Sequence, residues 1–225
     1  VFMFTFNEEN FLYIFLCKIW DIVLVNVLFI FCSLPIITIG PSFTAMHHVT
    51  LRMTKGNNIG TCKTFFRAFK ANFKQSFIVW MVSLLAMIVL LTNIEFLKTV
   101  EGSFASFLFY ASYILLIFIF VINLYIHPVI AAFEGNIKAQ IRNSVIFIFM
   151  KLPYAFFMFL MWGFPLSLAY IDIGFQPLYA FCWSFFGFGL IAYINSRFLY
   201  KLFKPYLPKE DTDITADIDF RIPEN

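Results

Sequence analysis

Residues 52–77 run RMTKGNNIGTCKTFFRAFKANFKQSF and set Arg52, Lys55, Lys63, Arg67, Lys70 and Lys74 between two apolar runs. No carboxylate offsets them, because no acidic residue occurs between Asp21 and Glu95. Lys and Arg are retained on the side of a bilayer where insertion begins, so so basic a segment between two apolar runs is expected to face the cytoplasm. The predicted fold class is all-α: a polytopic helical membrane protein of about five transmembrane helices, or six, with amphipathic interfacial helices.

Composition points the same way. The chain is 61% hydrophobic and 13% charged, with a mean hydropathy of +0.84, which a soluble domain of 225 residues does not tolerate. The net charge of +3 sums a basic membrane-proximal part and an acidic tail, so nucleic acid is not implied as a partner. Cys17, Cys32, Cys62 and Cys182 are widely spaced and are expected to be free thiols. The start of the sequence lacks a basic region followed by a small-residue cleavage site, so no removed leader is expected.

A hydrocarbon core of about 30 Å requires about 20 apolar residues in helix. Five candidates emerge, running from about Trp20 to Leu34, about Phe77 to Leu91, about Phe104 to Tyr125, Pro153 to Ile171, and about Leu178 to Tyr200. Pro153 suits a helix start, where its missing N–H has no partner to lose. Pro165, two residues after Gly163, is expected to kink the fourth span. Lys138, Arg142 and Lys151, then Arg197, Lys201 and Lys204, join the cytoplasmic set, while the short turns with Glu95, Lys98, Glu101 and Asp172 carry a net acidic balance and are read as outer. The C-terminus is therefore expected inside.

Residues 35–53 resist assignment. Gly40, Pro41, Ser42, Thr44, His47 and His48 are too polar for a lipid-facing span, although small residues allow a short returning helix packed inside the bundle. If this stretch crosses, there are six crossings and the N-terminus is inside. If it stays at the surface, there are five and the N-terminus is outside. Five is the preferred count.

Residues 1–207 are expected to form the membrane domain, with an interfacial elbow helix at about 61–77. Steps of 100° put Lys63, Arg67, Lys70 and Lys74 in one stripe and Phe65, Phe66, Phe69 and Phe73 on a neighbouring face. Such a helix rests its aromatic face on the acyl boundary and its cations on anionic headgroups, each cation contributing about 1 kcal/mol near a charged leaflet. Lys63, Arg67, Phe69, Lys70 and Lys74 are thus the candidate lipid or partner contacts. A faint repeat at a constant offset pairs Gly56-Asn57 with Gly135-Asn136, Lys63 with Arg142, and Phe77 with Phe156, with chance similarity between two apolar regions as the preferred explanation. Beyond Leu207, Glu210, Asp211, Asp213, Asp217, Asp219 and Glu224 face only Lys209 and Arg221, which predicts a solvated cytoplasmic tail at 208–225.

Polar residues inside the spans are few. Asn26 lies midway along the first span and is expected to hydrogen-bond another helix. Asn123, His127 and Asn195 lie near the cytoplasmic ends of their spans and can meet in one polar pocket, with headgroup or water contacts as the alternative. His47 and His48 are adjacent, about 100° apart on a helix, and do not form the i, i+4 pair that a shared metal needs. No paired carboxylates, Ser/His/Asp set or Cys/His pair is present, so no catalytic residue, metal ligand or cofactor is assigned and an enzyme is not expected. No Gly-rich loop ending in Lys-Ser/Thr is present to cradle a nucleotide.

Cys32 to Ala45 (CSLPIITIGPSFTA), then Val49-Thr50-Leu51, then Phe65 to Gln75 (FFRAFKANFKQ) resemble the N-terminal signature of the YesL family, bacterial integral membrane proteins of unknown function. The similarity is most specific between Trp20 and Trp80, and the acidic tail lies outside it. The resemblance implies a multi-span protein of a Gram-positive cell membrane whose relatives accompany carbohydrate ABC uptake systems, and it transfers no catalytic residue. Ala131-Ala132-Phe133-Glu134-Gly135 superficially resembles the ATPase-docking loop of a sugar permease, but the Glu-Ala-Ala order is absent. The distance from Gly135 to Leu152-Pro153 is also too long. An accessory subunit with carbohydrate ABC permease subunits and the lipid bilayer as partners is therefore expected, with an autonomous small-solute carrier or channel as the alternative. The oligomeric state stays open.

Cysteine-reporter labelling tests the orientation. A membrane-impermeant reagent added outside is expected to reach reporters at Glu101 and Asp172 and to miss those at Lys63 and Lys138. The reverse pattern would invert the charge argument.

Overall fold

In a computed structural model the chain is described over residues 11–55 and 60–207. The expected acidic tail, and Gly56-Asn57 of the repeat, lie outside the described residues. The helices are α1 (Phe11–Ser33), α2 (Ile39–Thr54), α3 (Thr61–Leu97), α4 (Ser103–Ala132), α5 (Ile137–Met150), α6 (Leu152–Ile171), α7 (Gln176–Cys182) and α8 (Phe188–Phe203), and no strand occurs among the described residues. Ile14–Ser33, Thr61–Leu97, Ser103–Ala132 and Gln176–Tyr206 are each long and apolar enough to cross a bilayer, and α5 with α6 makes a fifth if the bent pair counts as one span.

The uncertain segment 35–53 becomes α2, reached from α1 through a short 3-10 turn at Ile36–Thr38. Phe29 and Phe43 pack 6.1 Å apart on either side of that turn, so α2 runs back along α1. The Trp80 indole donates to the Ile36 carbonyl (2.8 Å), and the Thr61 hydroxyl donates to Asp21 Oδ1 (2.7 Å). Asp21 in α1 thus lies beside the start of α3, as the returning-helix alternative requires. With 16 residues α2 is about 24 Å long, shorter than a hydrocarbon core of about 30 Å. It is buried from Gly40 to Leu51 except at Phe43, so it is the interior of the bundle and not a sixth lipid-facing span.

Close approach at two glycines sets the spacing. A Cβ on Gly40 would collide with the Trp80 side chain and lie 2.7 Å from the Ser76 carbonyl, which lets α2 press against α3. A Cβ on Gly189 would lie 2.6 Å from the Ile22 carbonyl, which brings α8 onto α1. Neither contact leaves room for a side chain.

Residues 61–77 are helical, but they are not an elbow set off from the second span. α3 runs unbroken for 37 residues, about 55 Å, because no Gly or Pro interrupts it between Thr61 and Leu97. About 30 Å suffices for the hydrocarbon core, so the basic N-terminal part is surplus length on the same rod. The break comes in the other half of the proposed repeat: α5 and α6 meet at 101° around Lys151, whose φ and ψ of −141° and 60° are not helical. Pro153 explains the difference, since the corresponding position in α3 is Lys74, which continues the helix. Pro165 lies inside α6, and the helix continues through it.

α3 and α4 form a hairpin whose turn carries Gly102 at φ 131° and the Lys98–Glu95 ion pair (2.7 Å). Lys98 Nζ donates to Glu95 Oε1, and that hydrogen bond holds the Lys98 ammonium above its ordinary pKa. Near that turn the hairpin is tied by Asn93 Nδ2 donating to Ser112 Oγ (2.9 Å), while Val82, Leu85, Val89, Phe107, Ile114 and Phe118 are exposed along its sides. Those apolar sides suit lipid.

Glycine replacement tests the packing. Gly189→Ala is expected to lower stability by about 1–3 kcal/mol through overpacking, seen as a lower Tm of the detergent-purified protein. Gly163→Ala, with no neighbouring heavy atom within 4 Å, is expected to leave Tm unchanged or slightly raised.

Candidate functional site

α2 carries a seam of polar side chains, and α3, α4 and α8 answer those at Thr44, His48 and Thr50, while Ser42 Oγ has no hydrogen-bond partner among the described residues. Thr44 Oγ1 lies 2.8 Å from Ser76 Oγ of α3 and 2.9 Å from His127 Nδ1 of α4. Thr50 Oγ1 lies 2.7 Å from Ser196 Oγ of α8. His48 Nδ1 meets the Ala131 carbonyl of α4 at 3.1 Å; a carbonyl only accepts, so this nitrogen carries the proton. All of these side chains are buried, where an unpaired polar group is costly, so the pairs select how the helices face one another.

Asn26 does what the sequence implies and more. Its Nδ2 donates to the carbonyls of Trp183 (3.1 Å) and Ser184 (2.8 Å), and its Oδ1 accepts from the Gly189 amide (2.9 Å). Those carbonyls belong to a π-turn at Trp183–Gly187 between α7 and α8. A π-turn displaces the i→i−4 ladder and strands backbone groups, and the Asn26 amide supplies their partners.

The other three expected polar residues are buried but do not join one another. Asn123 donates to the Ile119 carbonyl of its own helix (2.9 Å), and His127 is taken by Thr44. The Asn195 amide is fully buried, and neither of its polar atoms has a hydrogen-bond partner among the described residues. Sequence reasoning missed Ser76, Thr50 and Ser196, for which single serines and threonines in apolar runs give no signal. The polarity of residues 40–48 was the available hint.

His47 differs from its neighbour. It is fully buried, and neither ring nitrogen has a hydrogen-bond partner among the described residues. Its ring stands edge-on to Phe43 at 4.7 Å, and Phe43 also touches His127 (5.5 Å) and Trp162 (5.2 Å). The two adjacent histidines thus face different surroundings, as their angular separation requires.

On the outside, Lys63, Arg67, Lys70 and Lys74 are exposed along α3, while Phe65, Ala68, Asn72 and Ser76 on its other side are buried. The aromatic face is not a lipid face throughout. Phe65 is 0% exposed, and Phe69 is half-buried within the ring series Phe65–Phe69–Phe73–Phe77, whose successive centroids lie 6.4, 5.4 and 5.7 Å apart. Phe69 therefore belongs more to the packing than to a free contact surface. Gln75 Nε2 donates to the Gly135 carbonyl (2.9 Å), which anchors this part of α3 to the α4–α5 turn ahead of exposed Lys138 and Arg142.

A pocket opens among the C-terminal ends of α2, α4 and α8, lined in part by His48, Arg52, Lys55, Ala131, Tyr200 and Phe203. Three helix C-termini bring partial negative charge there, and Arg52 and Lys55 offset it. That balance accounts for the two cations without a ligand.

Loss of the Asn26 amide is expected to be more damaging than loss of the Asn123 amide. Hydrogen bonds between membrane helices average about 0.6 kcal/mol each. Asn26→Ala removes three of them, so about 2 kcal/mol and a clear fall in Tm are expected. Asn123→Ala, whose amide returns to its own helix, should change Tm much less.

Residues 22–94 match the model of a family described as "Protein of unknown function, DUF624". The match covers the second half of α1, all of α2 and nearly all of α3, and it coincides with the acid-free stretch. No curated protein and no solved structure matches the chain. Over this part, the chain is similar to a family whose own function is unknown.

Proposed function

We propose that this chain is a YesL-type accessory subunit of a bacterial carbohydrate ABC uptake system. It is a non-catalytic, multi-pass protein of the cell membrane, with the basic start of α3 and the C-terminus in the cytoplasm. The observation that carries this reading is the exposed stripe Lys63, Arg67, Lys70 and Lys74 on the surplus length of α3, whose opposite side is locked into the bundle through Phe65, Ala68, Asn72 and Ser76. A helix held on one side presents its other side with little conformational entropy to lose on docking. The family match over residues 22–94 covers both the stripe and its anchor and agrees with the YesL resemblance. Partners of this surface are the permease subunits and the anionic headgroups beside them.

A specific observation supports the alternative, an autonomous small-solute carrier or channel. His47 and Asn195 bring polar groups into the bundle interior, where transport sites are built.

Affinity purification in mild detergent separates the two. Arg67→Ala with Lys70→Ala is expected to abolish co-purification with a carbohydrate ABC permease while insertion and orientation stay normal, because binding energy concentrates in a few positions. Undiminished recovery of the permease would remove the stripe from the interface. A graded decline as each of the four cations is replaced by Gln would assign it to lipid anchoring instead.

A further inference from the structure

Two contacts pin α2 and α8 side by side. At one level Phe29 touches both Phe43 of α2 (6.1 Å) and Phe188 of α8 (5.1 Å); at the other, Thr50 meets Ser196 (2.7 Å). His47 and Asn195 both lie on the stretches between these two levels, and both are 0% exposed. Neither side chain has a hydrogen-bond partner among the described residues, for either ring nitrogen or either amide atom. We propose that His47 and Asn195 together hold a neutral hydroxyl-bearing ligand, water or a small hydroxylated solute, between α2 and α8.

The donor and acceptor inventory selects this chemistry. A neutral imidazole offers one donor and one acceptor, and an amide offers two donors and an acceptor. An anion satisfies only the donors and a cation only the acceptors. A hydroxyl group both donates and accepts, so it answers both side chains at once. The edge-on Phe43 ring at 4.7 Å can take a weak N–H···π contact from His47, but this leaves the other ring nitrogen and the whole Asn195 amide unanswered. The polar pairs Thr44 with Ser76 and His127, and Thr50 with Ser196, are closed by protein atoms, whereas His47 and Asn195 are open on every polar side-chain atom. This site stands independently of the basic stripe, because it lies inside the bundle and uses none of its residues.

A double-mutant cycle on Tm of the purified full chain tests the assignment. If a hydroxyl ligand links the two side chains, His47→Leu and Asn195→Leu each lower Tm, because each strands the ligand and the remaining partner, and the double variant loses clearly less than the sum. His47→Asn, which keeps a donor and an acceptor, retains more of the wild-type Tm than His47→Leu; a purely packing role ranks them in reverse, leucine being nearer imidazole in volume. Running the cycle without and with glycerol as the probe separates the sources. Coupling in polyol-free buffer assigns water, and coupling that appears only with glycerol assigns a solute hydroxyl. Additive losses in both buffers, or leucine variants at least as stable as wild type, overturn the proposal.

Discussion

The hydroxyl of Thr44, held between Ser76 of α3 and His127 of α4, is the contact on which the rest of the bundle depends. α2 is too short to span and too polar to face lipid, so it folds into a bundle only if its neighbours satisfy it. Apolar packing alone would leave the rotation of each helix loosely specified, since lipid tails are as apolar as leucine. The pairs at Thr44, His48 and Thr50 remove that freedom, because rotating α3, α4 or α8 would strand a buried polar atom. Gly40 and Gly189 add a steric condition, letting α2 press on α3 and α8 on α1 only where no side chain intervenes.

Around this interior, the long helices divide the labour. The ends of α3 and α4 near Gly102 expose apolar side chains that suit lipid, while the opposite end of α3 carries cations on one side and core residues on the other. The absence of Gly and Pro from α3 makes this a rigid connection. In the second half of the chain, Pro153 replaces that rod with a sharp bend, and α5 lies at 101° to α6. Two segments of similar apolar pattern therefore present their basic residues differently, one along a straight helix and one on a helix turned aside. The π-turn at Trp183–Gly187 is a third device, and Asn26 supplies the hydrogen bonds it lacks.

Much of this was legible in the residues, for physical reasons. The expected spans fall on helix, apart from Leu34 just past α1 and the π-turn inside the last, because apolar length is a direct consequence of bilayer thickness. Asn26 was recognisable because an amide midway along a span needs a partner, although nothing in the sequence marked that partner as a π-turn. Residues 61–77 show the limit of periodicity: it identified the basic stripe, but it did not distinguish a separate interfacial helix from a continuous one, nor Phe65 in the core from Phe66, which is 52% exposed. The serines of the seam were invisible because a lone Ser in an apolar run has the same local signature whether it bonds its own backbone or a neighbouring helix.

The central claim is that α2 is the interior of the bundle, in register with α3 and α8. Disulfide trapping in native membranes measures this directly, with Cys17, Cys32, Cys62 and Cys182 replaced by Ser and cysteine pairs placed at Thr50 with Ser196 and at Thr44 with Ser76. Rapid cross-linking of both pairs, with little for Thr50 paired with Ser76, is the expected result. Failure of both pairs to cross-link, or free reaction of a single cysteine at Thr44 with a lipid-soluble maleimide, would place α2 at the periphery and contradict the account.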